Sequence, residues 1–143
     1  MSRATVRIEF EGAPRNETDD VLEVEVGDSI SGWVEVTATE QLKLNGINIQ
    51  VGFRAHGRGD EDRVHQRISG CSATQLEAGQ PERLPFECSL PDEGPISWNG
   101  KVVKVTWEVL VHLDIPWAVD QYESRPFIVR PRRFFDEEVK DDD

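Results

Sequence analysis

Between Lys101 and Ile115 the chain reads KVVKVTWEVLVHLDI, and this run constrains the fold more than any other stretch. Val103, Val105, Trp107, Val109, Val111, Leu113 and Ile115 occupy every second position, with Lys104, Thr106, Glu108, Leu110, His112 and Asp114 between them. Successive side chains of an extended strand point to opposite faces, so a period of two predicts a strand with one buried face. β-branched valines suit that pleated surface, and Trp107 adds a large area to bury. At roughly 3.3 Å per residue the run spans about 50 Å, so a bulge or bend is expected within it. Each buried apolar side chain contributes about 1.5–3 kcal/mol before entropy is subtracted. The core is expected to form against this face.

Similar alternation recurs upstream. Val6, Ile8 and Phe10 mark a first strand, and after the polar GAPRNETDD, Leu22, Val24 and Val26 mark a second. Gly27-Asp28 turns the chain into a third strand carrying Ile30, Gly32, Val34 and Val36. Leu42 and Leu44 open a fourth run, and alternation resumes at Ile47, Ile49, Val51, Phe53 and Ala55, so Gly46 is read as a bulge that shifts the register. The charged, Gly-containing segment Arg54–Arg67 reads as a hairpin loop leading into a strand near Val64–Ile68. Leu84, Phe86, Cys88 and Leu90 share one register, with Pro85 placing that strand at an edge or bulge. A last strand is expected over Tyr122–Val129. Eight or so strands with short turns and no helical stripe predict an all-β fold, an immunoglobulin-like two-sheet antiparallel β-sandwich. Its boundaries are read as 1–130, followed by a charged, acid-rich tail over 131–143 that forms a frayed helix or none.

A formal net charge of −12 over 143 residues argues against nucleic acid and against anionic membranes. No run approaches the 18 apolar residues of a transmembrane helix, and MSRATVRIEF lacks the apolar core of a secretory signal. A cytoplasmic location is therefore expected. Two cysteines are too few for a disulfide framework. Cys88 shares its inward register with Phe86 and Leu90, which predicts a buried free thiol; Cys71 follows Gly70 near a strand end and its distance from Cys88 stays open.

From Leu76 to Trp117 the order of elements becomes more distinctive. Ala78-Gly79, Pro85-Phe86, Leu90-Pro91, Pro95 with Ser97, Gly100, the alternating strand and Pro116-Trp117 follow one another. Upstream, GDSISGWVEVTATEQLKLNGINIQVGFRAHG supplies a glycine-flanked strand, a Leu-rich strand and a Gly-Ile entry to a long strand; Arg125-Pro126-Phe127 and Val129 close the series. Together these features resemble the arrestin family, chiefly the amino-terminal domain of its α-arrestin branch and related bacterial sporulation-control proteins. The resemblance covers roughly residues 8–129. It implies an arrestin-like sandwich that works as a non-catalytic adaptor or scaffold for other proteins. Arrestins carry two such domains and this chain carries one, so no inter-domain groove is implied and no family functional residue is carried over.

Candidate chemistry is sparse. His56, Asp60, Asp62 and His65 include zinc-binding types, but their spacing matches no familiar signature, and a solvated hairpin is the better reading. Arg58-Gly59-Asp60 is a three-letter coincidence with an adhesion motif. Glu108, His112 and Asp114 share a strand face, yet Glu108 and Asp114 stand about 20 Å apart, beyond the reach of paired catalytic carboxylates. Glu23 and Glu25 lack any sign of burial that would split their titration. Ser29 sits in no strand-to-helix elbow. No enzyme activity, cofactor or metal site is assigned.

Tryptophans are the remaining candidates. Trp33 is out of register with Ile30, Val34 and Val36, so it faces outward; Trp98 and Trp117 sit at turns flanking the long strand, where capping of the sandwich ends is expected. Exposed together, Trp33, Trp98 or Trp117 would make a partner-binding hot spot. The expected role is therefore protein–protein interaction through an edge strand or a sheet face, with self-association through the Arg125–Arg133 stretch and the acidic tail. The alternative is a small-ligand or carbohydrate-binding sandwich that stacks sugars on the same tryptophans.

Overall fold

A computed structural model describes residues 3–11, 15–16, 21–57, 59–93, 95–100 and 103–131. In chain order the strands are β1 (Ala4–Phe10), β2 (Arg15–Asn16), β3 (Val21–Glu25), β4 (Ser29–Ala38), β5 (Leu42–Leu44), β6 (Gly46–Gly57), β7 (Asp60–Cys71), β8 (Thr74–Leu76), β9 (Glu82–Ser89), β10 (Trp98–Asn99), β11 (Val103–Asp114) and β12 (Gln121–Arg130). A three-stranded sheet, β1-β4-β9, packs against a larger one ordered β2-β3-β12-β11-β6-β7, to which β10 adds beside β11. The described residues contain no helix. All pairings are antiparallel except that of β12 with β3, which is parallel. The all-β sandwich expected from alternation is the fold observed.

Burial follows the period of two. Val34 and Val36 of β4 share one core with Ile47 and Ile49 of β6 and Val109, Val111 and Leu113 of β11, all at 0% exposure. A chain of aromatic contacts crosses between the sheets. Phe10 meets Phe86 edge-on within the smaller sheet at 6.2 Å and reaches Phe127 across the gap at 5.9 Å. Trp107 continues the chain, 6.0 Å from Phe127 and 5.2 Å from Phe53.

Side chains also stitch the open sides. Arg125 and Gln121 of β12 donate to the Ile8 and Ala4 carbonyls at 2.6 and 2.7 Å, covering the free edge of β1. On the opposite side Ser69 of β7 donates to the Pro85 carbonyl at 2.8 Å, covering part of the edge of β9. Pro85 sits on an edge strand, as its missing N–H requires.

Four local expectations need correction. Arg54–Arg67 is strand on both sides of a two-residue connection: Gly57 faces Asp60, and Gly59 takes a φ of 92°, where a side chain is disfavoured. The hairpin was hidden because β7 overhangs the smaller sheet: Glu61, Asp62, Arg63 and Val64 are all exposed, so no apolar period marks it. Gly46 begins a new ladder instead of bulging, since β5 pairs with β8 in a two-stranded sheet of its own. The bulge lies further on, where Ile49 faces Ser69 but Gln50 faces Arg67, leaving Ile68 extra. Val103, expected inside, is 44% exposed because β11 also runs past the smaller sheet. Cys88 is half-buried rather than buried; it and Cys71 are both free thiols, and burial raises the Cys88 thiol pKa.

Candidate functional site

Glu108 is the one charged residue among those described that is buried, at 4% exposure, although it lies on the outward face of the larger sheet. Register explains how. Glu108 of β11 faces Gly52 of β6, and Gly52 faces His65 of β7. With no side chain on the middle strand, the imidazole reaches over it, and His65 Nε2 lies 2.9 Å from Glu108 Oε2. Arg54 Nε approaches the other carboxylate oxygen at 3.3 Å and its Nη1 approaches Glu61 at 3.7 Å. The Arg54 contact is an ion pair without hydrogen-bond alignment, which leaves Nε buried and unbonded. Buried charges persist when paired in this way.

A second polar group closes the β11–β12 connection. Asp120 accepts from the Ile115 backbone N–H at 3.0 Å through Oδ1 and from His112 Nε2 at 2.8 Å through Oδ2. His112 Nδ1 in turn lies 3.3 Å from the Asn48 amide, and its ring stacks on Tyr122 at 4.7 Å with a 7° tilt. The hydrogen bond from His112, reinforced by that from Ile115, lowers the Asp120 pKa below its ordinary 3.8. A depressed carboxylate pKa contributes stability that is present above the unfolded value and is lost as pH falls through the folded one. Titration followed by NMR is therefore expected to place the Asp120 midpoint below 3.8, and Asp120→Asn is expected to remove that acid-side dependence. An unshifted midpoint would show that the clasp does not form.

The clasp holds out an apolar tip. Trp117 is 104% exposed at a φ of 61° and Val119 is 91% exposed. Trp98, 58% exposed, stands near the far end of β11 opposite Val105. Nine residues of strand, roughly 30 Å, separate Val105 from the Asp114 end, so the two rings belong to different surfaces. Neither caps the sandwich as expected. Trp33 does face outward, but on the other sheet, half-buried beneath the Arg83 guanidinium at 4.6 Å. The three rings do not form one stacking platform.

Segment 97–99 lies in a fork between β11 and β12. Ser97 exchanges hydrogen bonds with Val129 at 2.8 and 2.9 Å while Trp98 pairs with β11. A shallow groove of about 520 Å³ opens there, lined by Trp98, Val105, Pro126 and Ile128 among others.

Strand alternation also separates the sequence's metal candidates. His56 and His65 point to the outer face, while Asp62 faces the other side, opposite Ala55. Among the described residues no group of three His, Cys, Asp or Glu side chains could hold a metal ion. Glu108 and His112, which share a face in the sequence reading, each find a partner elsewhere. Those partners, His65 and Asp120, were invisible without the register: one stands 43 residues away and the other lies beyond the turn.

Two sheets with long central strands and side-chain stitches along both open sides define a two-sheet β-sandwich, the architecture that the resemblance to arrestins implies. No curated protein matches the sequence. Residues 12–139 match the SpoOM protein family, and the chain belongs to that family. Among solved structures it is similar to Spo0M, the sporulation control protein of Bacillus subtilis, with a TM-score of 0.66 and 20% identity over 99% of this chain and 54% of that one. The chain thus spans about half the length of that protein, and the likeness concerns the fold. The E. coli curli protein CsgC, at 16% identity over 85% of this chain and 96% of its own, overlaps with a TM-score of 0.39.

Proposed function

We propose that this protein is a non-catalytic regulatory adaptor that acts through protein–protein contact, with the β11–β12 turn as its contact point. The observation that carries this reading is the fully exposed Trp117 on a backbone held at positive φ. A large aromatic on a clasped turn is costly to leave in water and is the kind of side chain that dominates binding energy when a partner covers it. Trp98 at the opposite end of β11 is a second contact; Trp33, stacked under Arg83, serves the sheet surface. The family relation makes control of sporulation, the role for which the Bacillus protein is named, the process to examine. The protein would do this in the cytoplasm as one sandwich over 1–130, with 131–143 as a charged extension; residues 132–143 lie outside those described.

Capture from native lysate, with identification by mass spectrometry, tests the reading. Trp117→Ala is expected to leave folding stability within about 0.5 kcal/mol, as for other exposed sites. It is expected to weaken the captured partner by roughly 30-fold, the scale of a 2 kcal/mol hot spot. Equal recovery of the same partner by wild type and variant would remove the turn from the interface.

A further inference from the structure

We infer that the outer edge of β7 pairs with the same edge of a second copy, joining two larger sheets across a two-fold axis. This goes beyond the adaptor reading and uses a different surface. Of the four edges of the two main sheets, β1 is covered by Arg125 and Gln121, β9 is tied in part by Ser69, and β2 is two residues long. β7 is twelve residues long and ends its sheet; its Ser69 end lies against β9, but over residues 61–67 no described strand pairs with its outer edge. A long unpaired edge is a template for another strand.

The direction of its backbone groups follows from Gly52. A Cβ there would run into the Val64 carbonyl, so that carbonyl points toward β6. Alternation then turns the N–H and C=O groups of Glu61, Arg63, His65 and Arg67 outward. An antiparallel two-fold pairing must match these outward residues with one another. Centring it on Val64 sets Glu61 opposite Arg67 twice and Arg63 opposite His65 twice. It also brings Val64, 56% exposed, against its own copy at the close, non-hydrogen-bonded position. Moving the axis to Arg63 or to His65 places Arg63 against itself or against Arg67, and moving it to Asp62 places Asp62 against itself, like charges face to face in each case. Of these registers only the one centred on Val64 sets Glu61, held at 3.2 Å by Arg63 of its own strand, against Arg67 of the copy with no pair of like-charged carboxylates or guanidinium groups opposed. An edge contact this short falls below the usual area of a permanent dimer, so the association is weak and concentration-dependent.

Sedimentation equilibrium on the full chain at about 0.15 M salt, where charges beyond about 8 Å are screened, is the test. The average mass is expected to rise with concentration toward twice 16.2 kDa. Glu61→Arg alone and Arg67→Glu alone should each weaken the dimer at least tenfold, and the two together should restore it. That rescue separates a lost contact from a lost fold. Val64→Cys, in a chain with Cys71→Ser and Cys88→Ser, should form an intermolecular disulfide readily. Asp62→Cys should not, because its two copies would stand roughly 13 Å apart. A monomer at every concentration up to about 1 mM, or a dimer indifferent to the charge changes, would overturn the inference.

Discussion

Trp107→Ala is expected to lower folding stability by about 3–5 kcal/mol, the range for truncating a large buried aromatic. Urea denaturation would register this as a lower midpoint at unchanged slope. The indole is 4% exposed and sits between Phe53 and Phe127, so its removal opens a gap in the buried face of the larger sheet, beside the Phe127 ring that meets Phe10 of the smaller one. Phe53 and Phe127 are fixed on β6 and β12 on either side of β11, and neither strand can move into the gap without breaking its ladder. A second loss comes with the ring. Trp107 Nε1 donates to the Pro95 carbonyl at 2.8 Å, pinning the segment that lies in the fork between β11 and β12. Trp107→Phe separates the two effects: it keeps most of the packing and leaves the carbonyl unpaired, at about 1–2 kcal/mol. A loss below about 1 kcal/mol for the alanine variant would mean that the indole is not packed between Phe53 and Phe127.

Trp107 also shows what the sequence makes legible. An inward-facing strand residue in the sandwich centre must be apolar, and its neighbours on the same face must recur at every second position; β3, β4, β6, β9, β11 and β12 could be read on that ground. The reading fails where the sheet extends past its partner. β7 is fully formed as a strand, but over Glu61–Val64 neither face is covered, so its residues are free to be charged and the hairpin looks like a loop. The same overhang exposes Val103. Polar contacts were less legible for a different reason. Glu108 and His112 look alike in the alternation, as polar residues on the outer face. Their environments diverge through residues that only the register brings near: Gly52 and His65 for Glu108, Asp120 for His112. Exposure of Trp117 runs against the average burial of tryptophan, so composition could place it at a turn but could not say that the turn leaves it uncovered.

Gly52→Ala is expected to cost about 3 kcal/mol, large for a single methyl group and near the top of the range for overpacking. The added Cβ would meet the Val64 carbonyl and the His65 Cα at 2.6 Å, both of them backbone, so no side-chain rotation relieves the contact. Relief would require β7 to move away from β6, breaking the ladder between Gly46–Gly57 and Asp60–Cys71. That movement would also carry His65 off Glu108, leaving a buried carboxylate with one partner fewer. Gly59→Asn is the matched control, because nothing lies within 4 Å of a Cβ there and only its positive φ disfavours a side chain; asparagine tolerates that conformation at a cost within about 1 kcal/mol. Thermal or urea unfolding of the two variants should therefore separate them clearly. If Gly52→Ala instead matches the control, the strands do not approach so closely. The Val64 carbonyl would then have no reason to point at β6, and the outward row of Glu61, Arg63, His65 and Arg67 would lose its basis. Because the expected result for Gly52 concerns a folded monomer, it can be obtained before any dimer is sought, and it decides whether the edge has the geometry that pairing needs.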